Sequence, residues 1–432
     1  MGTLISSFSF LACAWDLLVC YGEPVRGRRG SHIFNYSSSA IYSPLSLSLS
    51  LSLSLSAAMM KPRLYLGAAT AVVVVVSAWF ARNHVGPSHG GEPWPHEVVP
   101  LTENIGGVGP ESFAFSPDGQ GPYTGVSDGR IIRWDQNEKR WVNFTATSPH
   151  REGCGGTSYA EHRKTEHRCG RALGLCFSPT GDLYIADAYF GLLVVPSNGG
   201  IPTCITSQVK DTAPLAFTNN LDIDQTTGVV YFTSSSSIFH RRDYISLILS
   251  GDETGMVMKY DPETKHVSVV LRNVLFANGV ALSKDGDYIL VAETGKCRVL
   301  RYWLTTSKAG TLEVFAELPG FPDNIKRSPR GGYWVGIFAR REKLVRWILS
   351  YPWIGKAMLK LPLDVTKAYS YLAKIKGKTG FAIRLSEEGE VMEMVQGRER
   401  GGSVSEVEER DGTLWVGSVD ATFVVKYQIP TA

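Results

Sequence analysis

The chain has 432 residues, of which 44% are apolar and 20% charged, and its net charge is only +3. That length and apolar share allow a large buried core, and so small a charge excludes a global attraction for nucleic acid. The 44 glycines, about one residue in ten, exceed the ordinary share of roughly 7% and point to many tight turns.

In chain order, residues 45–56 read Leu-Ser without interruption, an alternation that would formally suit a strand. A repeated CT dinucleotide encodes the same tract, so residues 1–58 are expected to be a gene-model artefact or a disordered extension. Met59 and Met60 then look like a second start. Lys61 and Arg63 precede a 17-residue apolar run over 64–80. Methionine, basic residues and an apolar stretch are the layout of a secretory signal over residues 59–82. It is either cleaved near Val76-Ser77-Ala78 or retained as a membrane anchor with Arg82 at its edge. A linker over 83–95 follows. Both outcomes place the rest of the protein in the secretory pathway: the lumen of the endoplasmic reticulum, the vacuole, or a membrane-anchored luminal position. There Asn143-Phe144-Thr145 is a glycosylation sequon.

Of seven cysteines, Cys13 and Cys20 fall within the first 58 residues. Cys154 and Cys169 flank a polar loop, GGTSYAEHRKTEHR, and an oxidising compartment favours a disulfide that closes it. His162 and His167 lie in the same loop, but the spacing fits no zinc pattern well. Cys176, Cys204 and Cys297 stand in apolar strand contexts and read as packed thiols.

From residue 110 a single pattern recurs: an apolar strand, a turn with Asp-Gly or a variant, then further strands. ESFAFSPDGQGPYTGVSDGRIIRWD is followed by LGLCFSPTGDLYIADAYFGLLVV, and NNLDIDQTTGVVYFTSSS by GMVMKYDPETKHVSVVL. NGVALSKDGDYILVAETGKCRVLRYWL, DNIKRSPRGGYWVGIF and VSEVEERDGTLWVGSVDATFVVKYQI continue it. A period of roughly 45–60 residues with about four strands per unit is the mark of propeller blades. Residues 96–432 are therefore expected to form an all-β, six-bladed β-propeller. The sixth blade lacks its outermost strand, and residues 96–102 can supply it and close the ring, removing exposed sheet edges.

The residues that begin the blades are polar: Glu111, Asn219, Asn278, and the pair Asp323-Asn324. In a propeller the starts of the inner strands face one end of the central channel, and buried polar groups need compensation. Hard oxygen donors from separate elements are what calcium coordinates. The competing reading is that each is a turn residue capping its own strand. Within blade five, residues 340–376 form a separate feature. The stretch 339–378 carries ten Lys or Arg against Glu342 and Asp364, a local balance of +8. Leu344, Trp347 and Tyr351, then Trp353, Ala357 and Leu361, follow helical spacing between prolines. Such helices suit a membrane interface, a lid over the channel mouth, or a solvated surface insertion.

These blades, together with CGRALGL, GFPDNIKR and the stretch from Ser405 to Ser418, resemble the strictosidine synthase-like proteins of plants. That group looks like a branch of the calcium-dependent phosphotriesterase superfamily, with paraoxonase-like and gluconolactonase-like propellers; adipocyte plasma membrane-associated protein is similar. The resemblance implies a Ca²⁺ site made by Glu111, Asn219, Asn278 and Asp323-Asn324. It also exposes two departures. The acid/base glutamate of true strictosidine synthase falls on Ser405, and a hydroxyl cannot replace a carboxylate in that work. Glu406 is adjacent, but strand alternation would turn it to the opposite face. The paraoxonase histidine has no counterpart in Arg171-Ala172-Leu173-Gly174.

The expected activity is that of a calcium-dependent hydrolase acting on a small-molecule ester, lactone or related bond, with Asp323 as candidate nucleophile or base. A strictosidine synthase-type condensing enzyme and a non-catalytic luminal binding or scaffold propeller are the alternatives.

Overall fold

The computed structural model describes residues 94–430, apart from 102–104, 209–213, 363, 366, 370–379 and 397–401. The Leu-Ser tract, the apolar run at 64–80 and its flanks lie outside the described residues. So does most of the C-terminal part of the basic insertion.

Six four-stranded antiparallel sheets follow one another along the chain. Their inner strands are Phe113–Ala114, Ala172–Phe177, Thr218–Ile223, Ala277–Leu282, Gly320–Arg327 and Val407–Arg410. Alternating Val, Ile and Leu along these strands fill the spaces between neighbouring sheets. Ile325, Val335 and Ile383 of blade five pack with Leu290 and Val299 of blade four, and Leu221 and Phe232 of blade three with Tyr184 and Leu192 of blade two. The six-bladed propeller read from the repeats is the observed fold.

Closure follows the expected route. The strand His96–Pro100 pairs antiparallel with Phe423–Gln428, from His96 opposite Tyr427 to Pro100 opposite Phe423. It becomes the outer strand of a sheet whose other three strands come from the C-terminus. Val99 and Leu101 turn inward and pack with Phe113, Ile132 and Trp141 of blade one and Trp415 and Val424 of blade six. The two chain ends of the ring are thus joined by a ladder on one side and a core cluster on the other.

The inner strands are not regular. Their ladders slip between Thr218 and Leu221, between Ala277 and Val280, and between Pro322 and Ile325. These bulges contain Asn219-Asn220, Asn278-Gly279 and Asp323-Asn324. A bulge leaves a residue out of the ladder and re-aims its side chain, so the polar pairs mark where each strand stops pairing. Gly279 also allows two blades to meet: a Cβ there would lie 2.4 Å from Ile325 N.

Two expectations need correction. The segment between Cys154 and Cys169 is not a loop but mostly a helix, α1, Tyr159–Cys169. Ser158 accepts from Glu161 N while the Glu161 carboxylate reaches back to the Ser158 backbone, a capping box that starts the helix. The S-x-x-E spacing was its legible signal. Cys204 is exposed, not packed, because it sits on the outer strand of blade two; Cys297 is buried and Cys176 partly so. The disulfide Cys154–Cys169 is formed, with Cα atoms 5.6 Å apart. Asn143 lies exposed on an outer strand of blade one.

Further helices among the described residues are α2 (Tyr244–Ser250), α3 (Lys343–Ser350) and α4 (Pro352–Leu359). Pro352 ends α3 and starts α4, as the prolines in the insertion suggested.

Truncating Leu101 to Ala should lower unfolding free energy by about 3 kcal/mol, because the side chain is fully buried at the closure seam. Val98→Ala, on the solvent side of the same strand, should change it little. Urea unfolding of both variants checks this, and equal effects would contradict the closure packing.

Candidate functional site

Three of the blade-start residues arrive at the channel through the bulges just described. Asn278 and Asp323 meet directly: Asn278 Nδ2 donates to Asp323 Oδ1 at 2.8 Å and to Thr294 Oγ1 at 3.1 Å. One blade further round, Asn219 Nδ2 donates to Ser235 Oγ at 2.9 Å, and Ser235 Oγ donates onward to Ala277 O at 2.8 Å. Both amides are therefore oriented by their nitrogens. Their oxygens, Asn219 Oδ1 and Asn278 Oδ1, are buried and accept no hydrogen bond. Asn324 is fully buried beside Asp323, its backbone N donates to Ser405 O at 2.9 Å, and neither atom of its side-chain amide has a partner.

Glu111, at the start of blade one, is also buried, and it carries a partner the blade pattern did not suggest. Arg171 Nη2 donates to Glu111 Oε2 at 2.6 Å, and Arg171 Nη1 to Gly109 O at 2.8 Å. The blade-two position without a histidine thus holds a fully buried guanidinium. A second arginine, Arg241, brings its Nη2 to 3.9 Å from the same carboxylate oxygen. Burial first, and then the neighbouring Glu111 charge, push the Asp323 carboxyl well above the ordinary range, against the Asn278 hydrogen bond and the Arg241 charge.

Ser405 and Glu406 lie on a bulge as well: Ser405 N donates to Gly417 O and Gly417 N to Glu406 O. Strand alternation therefore does not separate their side chains in the simple way expected. Ser405 Oγ donates to Glu111 O at 2.7 Å. Glu406 is not turned away from the axis. It accepts from Phe113 N of blade one at 2.6 Å and stands 3.8 Å from Lys326 Nζ of blade five. Its Oε2 is buried without a partner, and burial raises its pKa to about 8 despite Lys326. The sequence signal for Glu406 was there, a second carboxylate beside Ser405, but the bulge that re-aims it was not visible.

A second polar level lies three residues further along the inner strands, with Cys176, Asp222, Lys326 and Glu408 from four blades. Lys326 Nζ donates to Phe113 O at 3.1 Å and lies 3.7 Å from Glu408 Oε2. Burial disfavours this ammonium, but Glu406 and Glu408 outweigh burial and raise its pKa. A recess of about 260 Å³ opens here, lined in part by Cys176, Lys326 and Glu408.

The first mouth, by contrast, is roofed. Leu247 of α2 packs on Leu173, Phe217, Leu275 and Phe276, the residues that lead into three inner strands. Helix α4 lies so close on α2 that a Cβ at Gly355 would stand 2.0 Å from Leu249 O. Trp347, Tyr351 and Trp353 of the insertion remain exposed.

The residues present fit a hard divalent cation. The set comprises two carboxylates and two amides, and both amide oxygens are buried and unsatisfied as they would be if reserved for a ligand. Oε2 of Glu111 is taken by Arg171, so Glu111 would contribute through Oε1. Among the described residues no group of three or more His, Cys, Asp or Glu side chains is placed to hold a metal.

Comparison with known proteins decides the family. The strictosidine synthase model matches residues 219–307, and the N-terminal model of strictosidine synthase-like proteins matches 98–134. Protein STRICTOSIDINE SYNTHASE-LIKE 2 of Arabidopsis thaliana is 51% identical over 384 residues, covering 86% of this chain and 100% of that protein. The chain belongs to the strictosidine synthase-like family. Another relative is adipocyte plasma membrane-associated protein of Salmo salar, 36% identical over 331 residues, covering 74% of this chain and 76% of that one. Solved propellers of the same fold include a gluconolactonase of Xanthomonas campestris, 11% identical with a TM-score of 0.50, covering 80% of this chain and 99% of that one. A calcium-binding regucalcin of Agrobacterium tumefaciens is 12% identical with a TM-score of 0.50, covering 78% and 94%.

The raised Glu406 pKa has a consequence for this family member's stability. From its ordinary value of 4.5 up to about 8, native Glu406 holds a proton that the unfolded chain has released. Stability contributed by this group therefore falls as pH rises through that window. Glu406→Gln should flatten the decline in melting temperature between pH 5 and pH 8. Its advantage over wild type at pH 8 is expected to be on the order of a few kcal/mol. Parallel pH profiles for the two proteins would show the carboxyl ionised in the native state.

Proposed function

We propose that this chain is a calcium-dependent hydrolase of ester or lactone bonds, with the ion held by Glu111, Asn219, Asn278 and Asp323. The observation that carries the proposal is the pair of buried amide oxygens without partners, Asn219 Oδ1 and Asn278 Oδ1, next to the Asp323 carboxyl, whose pKa burial and the Glu111 charge raise. Each such oxygen costs roughly 1–3 kcal/mol unless something satisfies it. A cation would satisfy both at once. A gluconolactonase and a calcium-binding regucalcin share the fold, in keeping with a small-molecule substrate.

A cation held by Glu111, Asn219, Asn278 and Asp323 would supply Lewis-acid polarisation of the scissile carbonyl and offset the repulsion between the two carboxylates. Asn278 holds Asp323 Oδ1 in place through a 2.8 Å hydrogen bond. Asp323, once ionised, takes the proton of a water whose oxygen adds to the carbonyl, and returns it to the alkoxide as the acyl C–O bond breaks. If it attacks the carbonyl itself, the alkoxide leaves with a proton from water and a second water hydrolyses the acyl-enzyme. Arg171 holds Glu111 Oε2 at 2.6 Å and ties blade two to blade one. The α2–α4 roof excludes bulk water, which strengthens every charge interaction beneath it.

A condensing reaction of the strictosidine synthase type is disfavoured by Ser405. Its hydroxyl is buried and committed to Glu111 O, so no carboxylate occupies the position that would accept and return the amine proton.

Metal analysis and calorimetry test the site. Wild type should bind one calcium and melt several degrees higher in millimolar calcium; Asp323→Ala should lose the metal, the stabilisation and at least 100-fold in ester turnover while remaining folded. Unchanged melting and turnover on chelation would refute the metal reading. Stabilisation by calcium without turnover of any ester or lactone would instead make the ion structural.

For the condensing alternative, tryptamine and an aldehyde incubated with the wild-type protein should give no product above a boiled control. Clear product formation would overturn the argument from Ser405.

A further inference from the structure

Arg241 does not belong to a blade core. It begins a short 3-10 turn, Arg241–Asp243, that leads into α2, and its side chain is buried over the first mouth of the channel. One end of the guanidinium is pinned. Nη1 donates to Glu166 Oε2 at 3.0 Å and to Tyr159 Oη at 3.2 Å, and the cation lies 5.7 Å from the Tyr159 ring centre. Glu166 is itself held by Tyr189 Oη, which donates to Glu166 Oε1 at 2.6 Å. Both Tyr159 and Glu166 belong to α1, whose last residue is fixed by the Cys154–Cys169 disulfide.

The other end of the guanidinium points at the ring. Nη2 stands 3.9 Å from Glu111 Oε2, beyond hydrogen-bonding distance, and the Arg241 charge is felt by Asp323. Burial disfavours the charged arginine, but Tyr159, Glu166 and Glu111 outweigh burial and keep it protonated. Arg171, the other buried arginine of this mouth, is already spent on Glu111 Oε2 and Gly109 O. A charged donor oriented on one side and unsatisfied by hydrogen bonds on the side facing the site is what a bound anion requires.

The charges agree. In formal charges, three carboxyl groups, Glu111, Glu166 and Asp323, stand against the two guanidinium groups of Arg171 and Arg241, and a divalent ion in the ring would bring the sum from one negative to one positive. We propose that Arg241 is an anion anchor, and that the substrate of this site is an ester or lactone bearing a carboxylate a few bonds from the scissile carbonyl. The carboxylate takes Nη2 of Arg241 while the carbonyl faces Asp323. This rests on the hydrolase reading for the scissile bond, but not for the binding of the anion.

Monomethyl succinate and dimethyl succinate provide a matched pair that differs by one negative charge. Titration calorimetry of the full-length protein in saturating calcium should give at least tenfold tighter binding of the monoester, and chelation of calcium should weaken that preference. Arg241→Gln should abolish the preference. Arg241→Lys should retain a reduced one, because an ammonium keeps the charge but loses the fork, and it decides the matter if the glutamine variant does not fold. Equal affinities for the two esters in wild type, or a preference that survives in a folded Arg241→Gln protein, would overturn the anchor. Anion-selective binding without any hydrolysis would leave the anchor standing and remove the hydrolase reading; hydrolysis without anion preference would do the reverse.

Discussion

The pairing of His96–Pro100 with Phe423–Gln428 is the interaction on which the rest depends. Six sheets strung along a chain form a ring only if the first and last are joined. Here the join is a hydrogen-bonded ladder backed by Val99 and Leu101 in a cluster shared by blades one and six. The inner end of blade six then comes against blade one, where Ser405 Oγ meets Glu111 O and Glu406 meets Phe113 N. Open the ring, and Glu111 no longer faces Asp323. The polar site is thus a consequence of closure, because its members come from opposite parts of a circle and share no local segment.

Once closed, the ring concentrates buried charge, and different parts of the molecule resolve that in different ways. At one level Arg171 is fully buried against Glu111, and each supplies the other's counter-charge at 2.6 Å. Three residues along the strands, Lys326 stands 3.8 Å from Glu406 and 3.7 Å from Glu408, but burial outweighs it and both carboxyls are raised. Between them Asp323 and Glu406 have no full partner, and both are pushed toward the protonated form. Shifted carboxyls beside unsatisfied amide oxygens are the feature on which the proposed site rests. The cost in stability falls on the blades that converge there, and the apolar clusters between sheets offset it.

The polar groups at this mouth are divided between the repeats and what is inserted into them. The blades provide Glu111, Asn219, Asn278 and Asp323 at equivalent strand starts. The insertions provide the roof and the second arginine: α1 between blades one and two, the Arg241 turn with α2 inside blade three, and α3–α4 inside blade five. The disulfide and the capping box of α1 hold Glu166 and Tyr159 where they can orient Arg241.

The sequence by itself determined the blade count, the closing strand, the four blade-start residues and the Cys154–Cys169 pair. These rest on short-range regularities: alternation along strands, turns at Asp-Gly, and polar residues recurring at one place in each repeat. Only the tertiary structure decided what surrounds them. Arg171 looked like a missing histidine until its guanidinium was seen on Glu111, 60 residues away. Arg241 and Glu166 lie 75 residues apart in insertions that follow no repeat, so no period could pair them. Glu406 was assigned to the wrong face because the alternation rule assumes an unbroken ladder, and the double use of Gly417 breaks it. Pattern fixes position along a strand; which charges then share a buried volume is set by how the strands bulge and how the ring closes, and neither is written in residues that are neighbours in the chain.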